Sequence, residues 1–504
     1  MSPWPSSIPV ELTLQILDLL DPQTLINCST INRLFKSLID ETTTLQYRIA
    51  LFASGMVDGP PGHLSASQRL SLLRDYEASW KDIIWNEHKS IPVPDGNLWE
   101  LYGNVWARSR GEDAIVFVQL PSRLRGIPMR QWTLKFNFAL RDFGMDPSQD
   151  LLVTIESLTN VPELCRIQLH KLKTGEKHPL ARNTGILEYT RLVSDITRTH
   201  WSFSIRISGD YVGILFIDHV EGGNELVVWN WKTGARSLEV GSIGILSFVF
   251  LGECFVLGSA LTSRRLESER PVLLLYSLNQ EPWPTCNMNH AGAHLLRFLC
   301  ETLPPDQGNL GILLTSDPSP RWSPDPGLQV PFRTVGDERI IGLNLQWGVA
   351  QNETFLISAN DLLSHVDDIS MGGGRDIEWE SWGPGCIEHV PSHGRWTVWT
   401  CFMFGMRYIL PRVALLNGRE VIIIHDLCMR RCMRASEEER EESNTLHHAM
   451  GWKGPYPRSI VKCVPLPPGI RDPLRVNLMI SEDGIVVLES DFVPGDQLVH
   501  LLTI

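Results

Sequence analysis

The sequence predicts an α+β, multidomain chain: a small helical head, a helical spacer, and a large all-β domain of propeller type. Three observations carry this reading. Near the N-terminus, apolar residues recur every three or four positions, the period of a helix with one buried face. From about residue 95 the period drops to two, as in half-buried strands. Within the β region, two stretches repeat one another around a Lys-Thr-Gly turn. The expected boundaries are 1–45 for the head, 46–92 for the spacer and 93–504 for the β domain.

In the head, Pro9 suits a first helical turn, which has no use for the missing N–H. Leu12, Ile16 and Leu19/Leu20 then form one stripe. Asp21 and Pro22 end that helix and open the next, as an N-cap followed by a first-turn proline. Leu25 and Cys28 are the inward side of the second piece; Ile31, Leu34, Phe35, Leu38 and Ile39 share one face of the third. Three helices this short cannot bury all that apolar surface among themselves, so something else must cover it. The spacer continues helical through Leu45, Ile49 and Phe52 and breaks at Pro60-Pro61-Gly62. It resumes behind a capping box, Ser65 with Gln68. Leu70, Leu73, Tyr76, Trp80 and Ile84 line that last helix, and Pro92 and Pro94 end it.

In the β region, Trp132, Leu134, Phe136 and Phe138 alternate with polar neighbours; so do Cys165, Ile167 and Leu169, and Phe203, Ile205 and Ile207. On the order of two dozen such segments follow, with no convincing amphipathic helix. Lys173-Thr174-Gly175 and Lys232-Thr233-Gly234 each follow a strand, with glycine where a positive φ is expected. The strand Leu273 to Leu278 lies at a similar phase without that turn. Repeated meanders over this length fit a propeller of about seven blades, without the Trp-Asp dipeptide of WD repeats. The last segment, Leu498 to Ile504, is expected to close the ring by pairing with an early strand. The acidic run Glu437 to Glu442 reads as a hydrated loop spanning 434–449.

Composition narrows the function. Hydrophobic residues make up 43% and charged residues 20%, ordinary for a globular chain, and the net charge of −13 argues against a broad grip on nucleic acid or anionic membrane. The N-terminus lacks a secretory pattern and no apolar run is long enough to span a bilayer. Ten scattered cysteines without a framework spacing suit a reducing cytoplasmic or nuclear setting.

Residues 8–39 resemble the F-box motif. Ile8-Pro9-Val10-Glu11-Leu12 stands where the family has Leu-Pro-x-Glu-Leu/Ile; Ile16-Leu17 with Leu20, then Asp21-Pro22 with Leu25, follow in the family's order. Ile31-Asn32-Arg33-Leu34-Phe35 matches the late Val-Cys-Arg/Lys-x-Trp, with Asn for Cys and Phe for Trp. Residues 65–85 and Leu101 to Ala107 are similar to basidiomycete fungal F-box proteins. The resemblance implies that Ile8, Pro9, Leu12, Ile16, Leu17, Leu20, Leu25, Leu34 and Phe35 bury against a Skp-type adaptor or brace the helices. It implies a link through that adaptor to a cullin, and a role as the substrate-recognition subunit of a ubiquitin ligase, without catalytic residues or cofactor.

Other constellations carry less. Trp322, Trp379 and Trp382 sit in loop-like sequence and are the weak candidates for target contact. His425, Cys428 and Cys432, with His447-His448 beyond, match no common zinc spacing, so no metal is expected. Gly372-Gly373-Gly374 lacks the Lys-Ser/Thr of a phosphate loop, and Ser208-Gly209-Asp210 and Ser481-Glu482-Asp483-Gly484 read as hairpin turns. Two alternatives stay open: a glycosidase-like enzyme on a propeller, which needs paired carboxylates at one mouth, and a non-degradative scaffold that binds the adaptor.

Overall fold

A computed structural model describes residues 8–92, 94–156, 164–182, 184–190, 201–218, 223–241, 244–262, 270–279, 294–300, 310–347, 351–366, 374–393, 401–451, 458–489 and 497–504. Five helices open the chain: α1 (Val10–Asp18), α2 (Pro22–Ile31), α3 (Arg33–Glu41), α4 (Thr43–Ser54) and α5 (Ala66–Asp82). Their boundaries follow local chemistry. Asp21 accepts from Thr24 N–H at 3.0 Å and Asn32 from Phe35 N–H at 2.8 Å, so each side chain supplies the partner that a first helical turn lacks. The Ser65–Gln68 capping box forms as expected.

The remainder is a seven-bladed propeller. The inner strands, in ring order, are Trp99–Tyr102, Leu140–Asp146, Trp201–Ser208, Ser247–Leu251, Leu310–Thr315, Met403–Phe404 and Val476–Ile480. Each begins a sheet of four or five strands, antiparallel throughout except where Arg375–Ile377 adds a parallel outer strand to blade 4. Gly175 and Gly234, the glycines of the two Lys-Thr-Gly turns, both sit at φ +74° between the third and fourth strands of blades 2 and 3. Leu273 to Leu278 falls on the third strand of blade 4, which accounts for its matching phase.

The ring closes as the sequence suggested. Leu498–Thr503 pairs with Glu87–Pro92, so blade 7 takes its outermost strand from the N-terminal side of the domain. Residues 87–92, expected as the end of the helical spacer, therefore belong to the propeller. Behind this clasp, Leu101, Trp106 and Val118 of blade 1 pack on Met479, Val486 and Val499 of blade 7.

The β domain also contains helices: α6 (Ala359–Ser364), α7 (Trp379–Cys386), α8 (Met429–Arg434) and α9 (Glu437–Ala449). The last corrects the expected loop over 434–449. The acidic run sits in the first turn of α9, where carboxylates favour the positive end of the helix dipole, and Ser436 with Glu439 forms a second capping box.

Candidate docking surface and buried polar clusters

The head has a very small core. Leu17, Leu25, Ile39 and Leu45 are buried in it, with Leu14, Leu20, Leu38 and Ile49 packed around them. Leu17 and Leu25, grouped with the docking residues on the motif, are 2% and 0% exposed and brace the helices instead. Helical phase decides this, because they point across the bundle while their neighbours point out. Leu12, Ile16 and Leu34 remain 49%, 52% and 40% exposed. Pro9 is exposed, and Ile8, Leu20 and Phe35 are half-buried. Leu19 and Ile31, which the motif did not single out as docking residues, are the most open of all at 86% and 66%. The chain itself thus leaves an apolar surface uncovered on its first helices.

The link from head to propeller is one shared helix. Leu45 and Ile49 of α4 complete the head core, while Tyr47 and Leu51 enter the main core with α5 and the propeller. Arg48 donates to the carbonyl oxygen of Asp18 at 2.6 Å and to that of Leu20, closing the end of α1. At the other end of α4, Arg431 and Arg434 of α8 donate to the carbonyl oxygens of Ser54 (2.5 Å) and Ala53 (2.8 Å). These are the unpaired acceptors of a last helical turn, where cations are favoured.

Three more anchors fix the spacer. The strand Met56–Asp58 pairs with Phe332–Thr334. Arg69, almost fully buried, donates to Asp58 (2.6 Å) and to the carbonyl oxygens of Pro60 (2.6 Å) and Pro331 (3.2 Å). Tyr76 donates to the Glu482 carbonyl oxygen at 2.5 Å. That turn, expected as plain hairpin chemistry, is a hairpin and also a junction. Arg125 of blade 1 pairs there with Glu482 (2.6 Å) and Asp483 (2.7 Å), and Thr334 N–H donates to Glu482 at 2.6 Å. Burial raises the Asp483 carboxyl above its ordinary value, with Arg125 opposing it. One guanidinium thus serves two buried carboxylates.

These propeller contacts lie on connections from the first to the second strand of a blade, 316–339 in blade 5 and 481–483 in blade 7, and on connections from the third to the fourth, Arg125 in blade 1 and α8 in blade 6. Such connections share one face of a propeller, so the head sits on that face. The face carrying the second-to-third and fourth-to-first connections points the other way.

The tryptophans are placed differently from expectation. Trp322 and Trp382 are buried, Trp322 edge-on to Phe404 at 5.5 Å and Trp382 donating to the Leu299 carbonyl oxygen at 3.0 Å. Both are packing residues and drop out as target contacts. Trp379 is half-buried against Trp382. Gly372 and Gly373 lie outside the described residues.

Two polar groupings were not legible from spacing. In the channel, half-buried Glu100, Asp142 and Arg206 come from the inner strands of blades 1, 2 and 3, and Asp317 lies just past that of blade 5. Burial pushes Glu100 up to about 8, Asp142 to about 7 and Asp317 to about 6, with Arg206 opposing the rise at Glu100 and Asp317. At the seam of blades 5 and 6, Glu388, His425 and His447 converge. The sequence had offered His425 and His447 together with Cys428 and Cys432. The thiols turn elsewhere, Cys432 Sγ lying 3.2 Å from the Asp426 carbonyl oxygen and Cys428 packing near Gly55. Glu388 had no sequence signal, because its partners lie far away along the chain.

Residues 5–51 match the family model described as F-box-like. An F-box-like domain therefore occupies the head and reaches into α4. No curated protein sequence gives a significant match. Among solved structures, the chain is similar to the tricorn protease at 9% identity, covering 83% of this chain and 34% of that one, with a TM-score of 0.39. It is similar to the WD40 domain of Toxoplasma gondii coronin at 9% identity, 84% and 88% coverage and a TM-score of 0.37. The WD40 domain of SCAP from fission yeast gives 9% identity, 82% and 98% coverage and a TM-score of 0.35. The chain spans about a third of the tricorn protease. The seven-bladed ring rests on the chain's own strand pairing. Among the described residues no helix is long and apolar enough to cross a membrane.

Proposed function

We propose that this chain is the substrate-recognition subunit of a Skp–cullin–F-box ubiquitin ligase of the fungal kind, working in the cytosol or nucleus. The uncovered apolar surface of α1 to α3 is the observation that carries the reading. Ile16, Leu19 and Ile31 stay more than half exposed beside a head core of only a few residues. Exposed apolar patches of this kind mark a partner. Burying each such side chain is worth about 1.5–3 kcal/mol.

The rest of the architecture supports the same role without catalysis by this chain. The F-box-like head is locked to one face of the propeller through α4 and α5, and the opposite face is left to receive a target protein. A held target has a raised effective concentration at a conjugating enzyme, which is a rate gain without any catalytic group here.

Co-purification with a Skp-type adaptor and cullin tests this. The Ile16→Asp, Leu34→Asp double variant changes only exposed positions, so its thermal unfolding should stay within about 0.5 kcal/mol of wild type. Adaptor binding should fall at least a hundredfold, about 2.7 kcal/mol. Undiminished adaptor binding by the folded variant would remove the reading. Adaptor binding without any cullin would leave the scaffold alternative.

A further inference from the structure

Glu388 lies on the outer strand of blade 5 (Ile387–His393), His425 on the third strand of blade 6 (Arg419–Asp426), and His447 on α9. All three are buried, and the ligand atoms they offer lie within 4.8 Å of one another. Glu388 Oε1 stands 3.6 Å from His425 Nδ1 and 3.5 Å from His447 Nε2. Ser459, just before the fourth strand of blade 6, places its Oγ 3.1 Å from His425 Nδ1, 3.3 Å from His447 Nε2 and in contact with Glu388 Oε1.

These separations have a meaning. Four ligands at the usual zinc–nitrogen and zinc–oxygen distance of about 2.0–2.1 Å form a tetrahedron with edges of about 3.3 Å. The distances from Glu388 and Ser459 to the imidazole nitrogens bracket that edge.

Proton placement points the same way. His447 Nδ1 lies 2.8 Å from the Ser443 carbonyl oxygen, which can only accept. The proton is therefore on Nδ1, and the Nε2 lone pair faces the cluster. Fixing a histidine tautomer through a backbone carbonyl is the usual second contact of a metal-bound imidazole. His425 Nε2 is buried with no hydrogen-bond partner, so the polar contacts of this ring are made through Nδ1 on the cluster side. The Ser459 hydroxyl sits among the carboxylate and both imidazoles, and the Arg458 N–H donates to the other carboxylate oxygen of Glu388 at 3.1 Å.

We propose that Glu388, His425 and His447, with Ser459 at the fourth corner, form a structural site for a divalent cation of the zinc class. Two imidazoles and one carboxylate suit zinc. The ligands are closed off from solvent, which fits a structural ion. Its effect is to pin α9 against blades 5 and 6. Glu439 of α9 lies 3.3 Å from Lys81 of α5, so the ion braces the helices that carry the head.

The test uses the full chain expressed in zinc-supplemented medium and then dialysed. Elemental analysis should find about one zinc per chain, and a strong chelator should lower the unfolding temperature until zinc is restored. Cobalt in place of zinc should give the visible bands of a four-coordinate ion without thiolate charge transfer. The Cys428→Ser, Cys432→Ser double variant should keep the metal, and Glu388→Gln should lose at least tenfold in affinity. Wild-type protein without metal, and with unfolding indifferent to chelator and zinc, would reduce the cluster to a hydrogen-bonded network and overturn the proposal. Thiolate charge transfer would overturn the ligand assignment. Both readouts use wild-type chain, so they hold even where a variant fails to fold.

Discussion

The first three helices and the two that follow are built from similar residues, yet they end differently. In α1 to α3, Leu12, Ile16, Leu19 and Ile31 face outward over a very small core. In α4 and α5, the apolar residues Tyr47, Leu51, Leu70, Leu73, Tyr76 and Trp80 are all buried against the propeller. Polar anchors from Arg69, Tyr76 and Arg431 then fix the geometry. Apolar surface that finds cover within the chain is architecture. Where it stays open, it is the surface on which the proposed adaptor would dock.

That contrast can be broken from its covered side. Arg125→Met leaves Glu482 and Asp483 without their cation in a buried site, and loss of one partner of such a group costs about 3–5 kcal/mol. Thermal unfolding of the whole chain should show it, because the junction joins blade 1, blade 7 and the spacer. An unchanged unfolding temperature would mean that the spacer does not depend on this junction.

On the open side, Leu25→Ala removes a side chain from a core that has few others. The loss should be about 2–5 kcal/mol. Hydrogen exchange should place the damage in α1 to α3, with strands of the propeller as protected as before. Spread of the effect into the blades would show that the head and ring fold as one unit.

The smallest expected effect is a pH dependence between the two sides. Burial raises the Glu439 carboxyl, but the Ser436 N–H and Lys81 together bring it below its usual 4.5. A lowered folded-state value means the contribution is complete above about pH 4.5 and is lost as pH falls through the lowered value. A Lys81–Glu439 double-mutant cycle should therefore show a coupling of at most about 1 kcal/mol at pH 7 that shrinks as the pH is lowered into the acid range. Coupling that persists in acid would assign the contact to packing.

Local chemistry was legible in the sequence. The caps at Asp21 and Ser65, the Lys-Thr-Gly turns and the strands around Ile167 and Ile205 depend on neighbours a few residues away and formed as read, whereas the strand expected over Trp132 to Phe138 ends at Lys135. The clasp by Leu498–Thr503 was legible too, since a terminal strand needs a partner edge. Long-range placement was not. Whether Leu17 faces in and Ile16 out depends on how three helices cross, and the depth of Trp322 and Trp382 depends on loops folding back over blades. The acidic run of α9 was misread because charge repulsion was weighed without the capping box and helix dipole that offset it. Glu388 joins His425 and His447 only through the stacking of one blade on the next.

The clasp has a consequence for biosynthesis. The strand that seals blade 7 leaves the ribosome long after α1 to α3. A nascent chain thus displays its oily head well before the ring can shut, and the adaptor proposed above could reach that head while the propeller is still an open ribbon. Assembly during translation would then be built into the order of the elements.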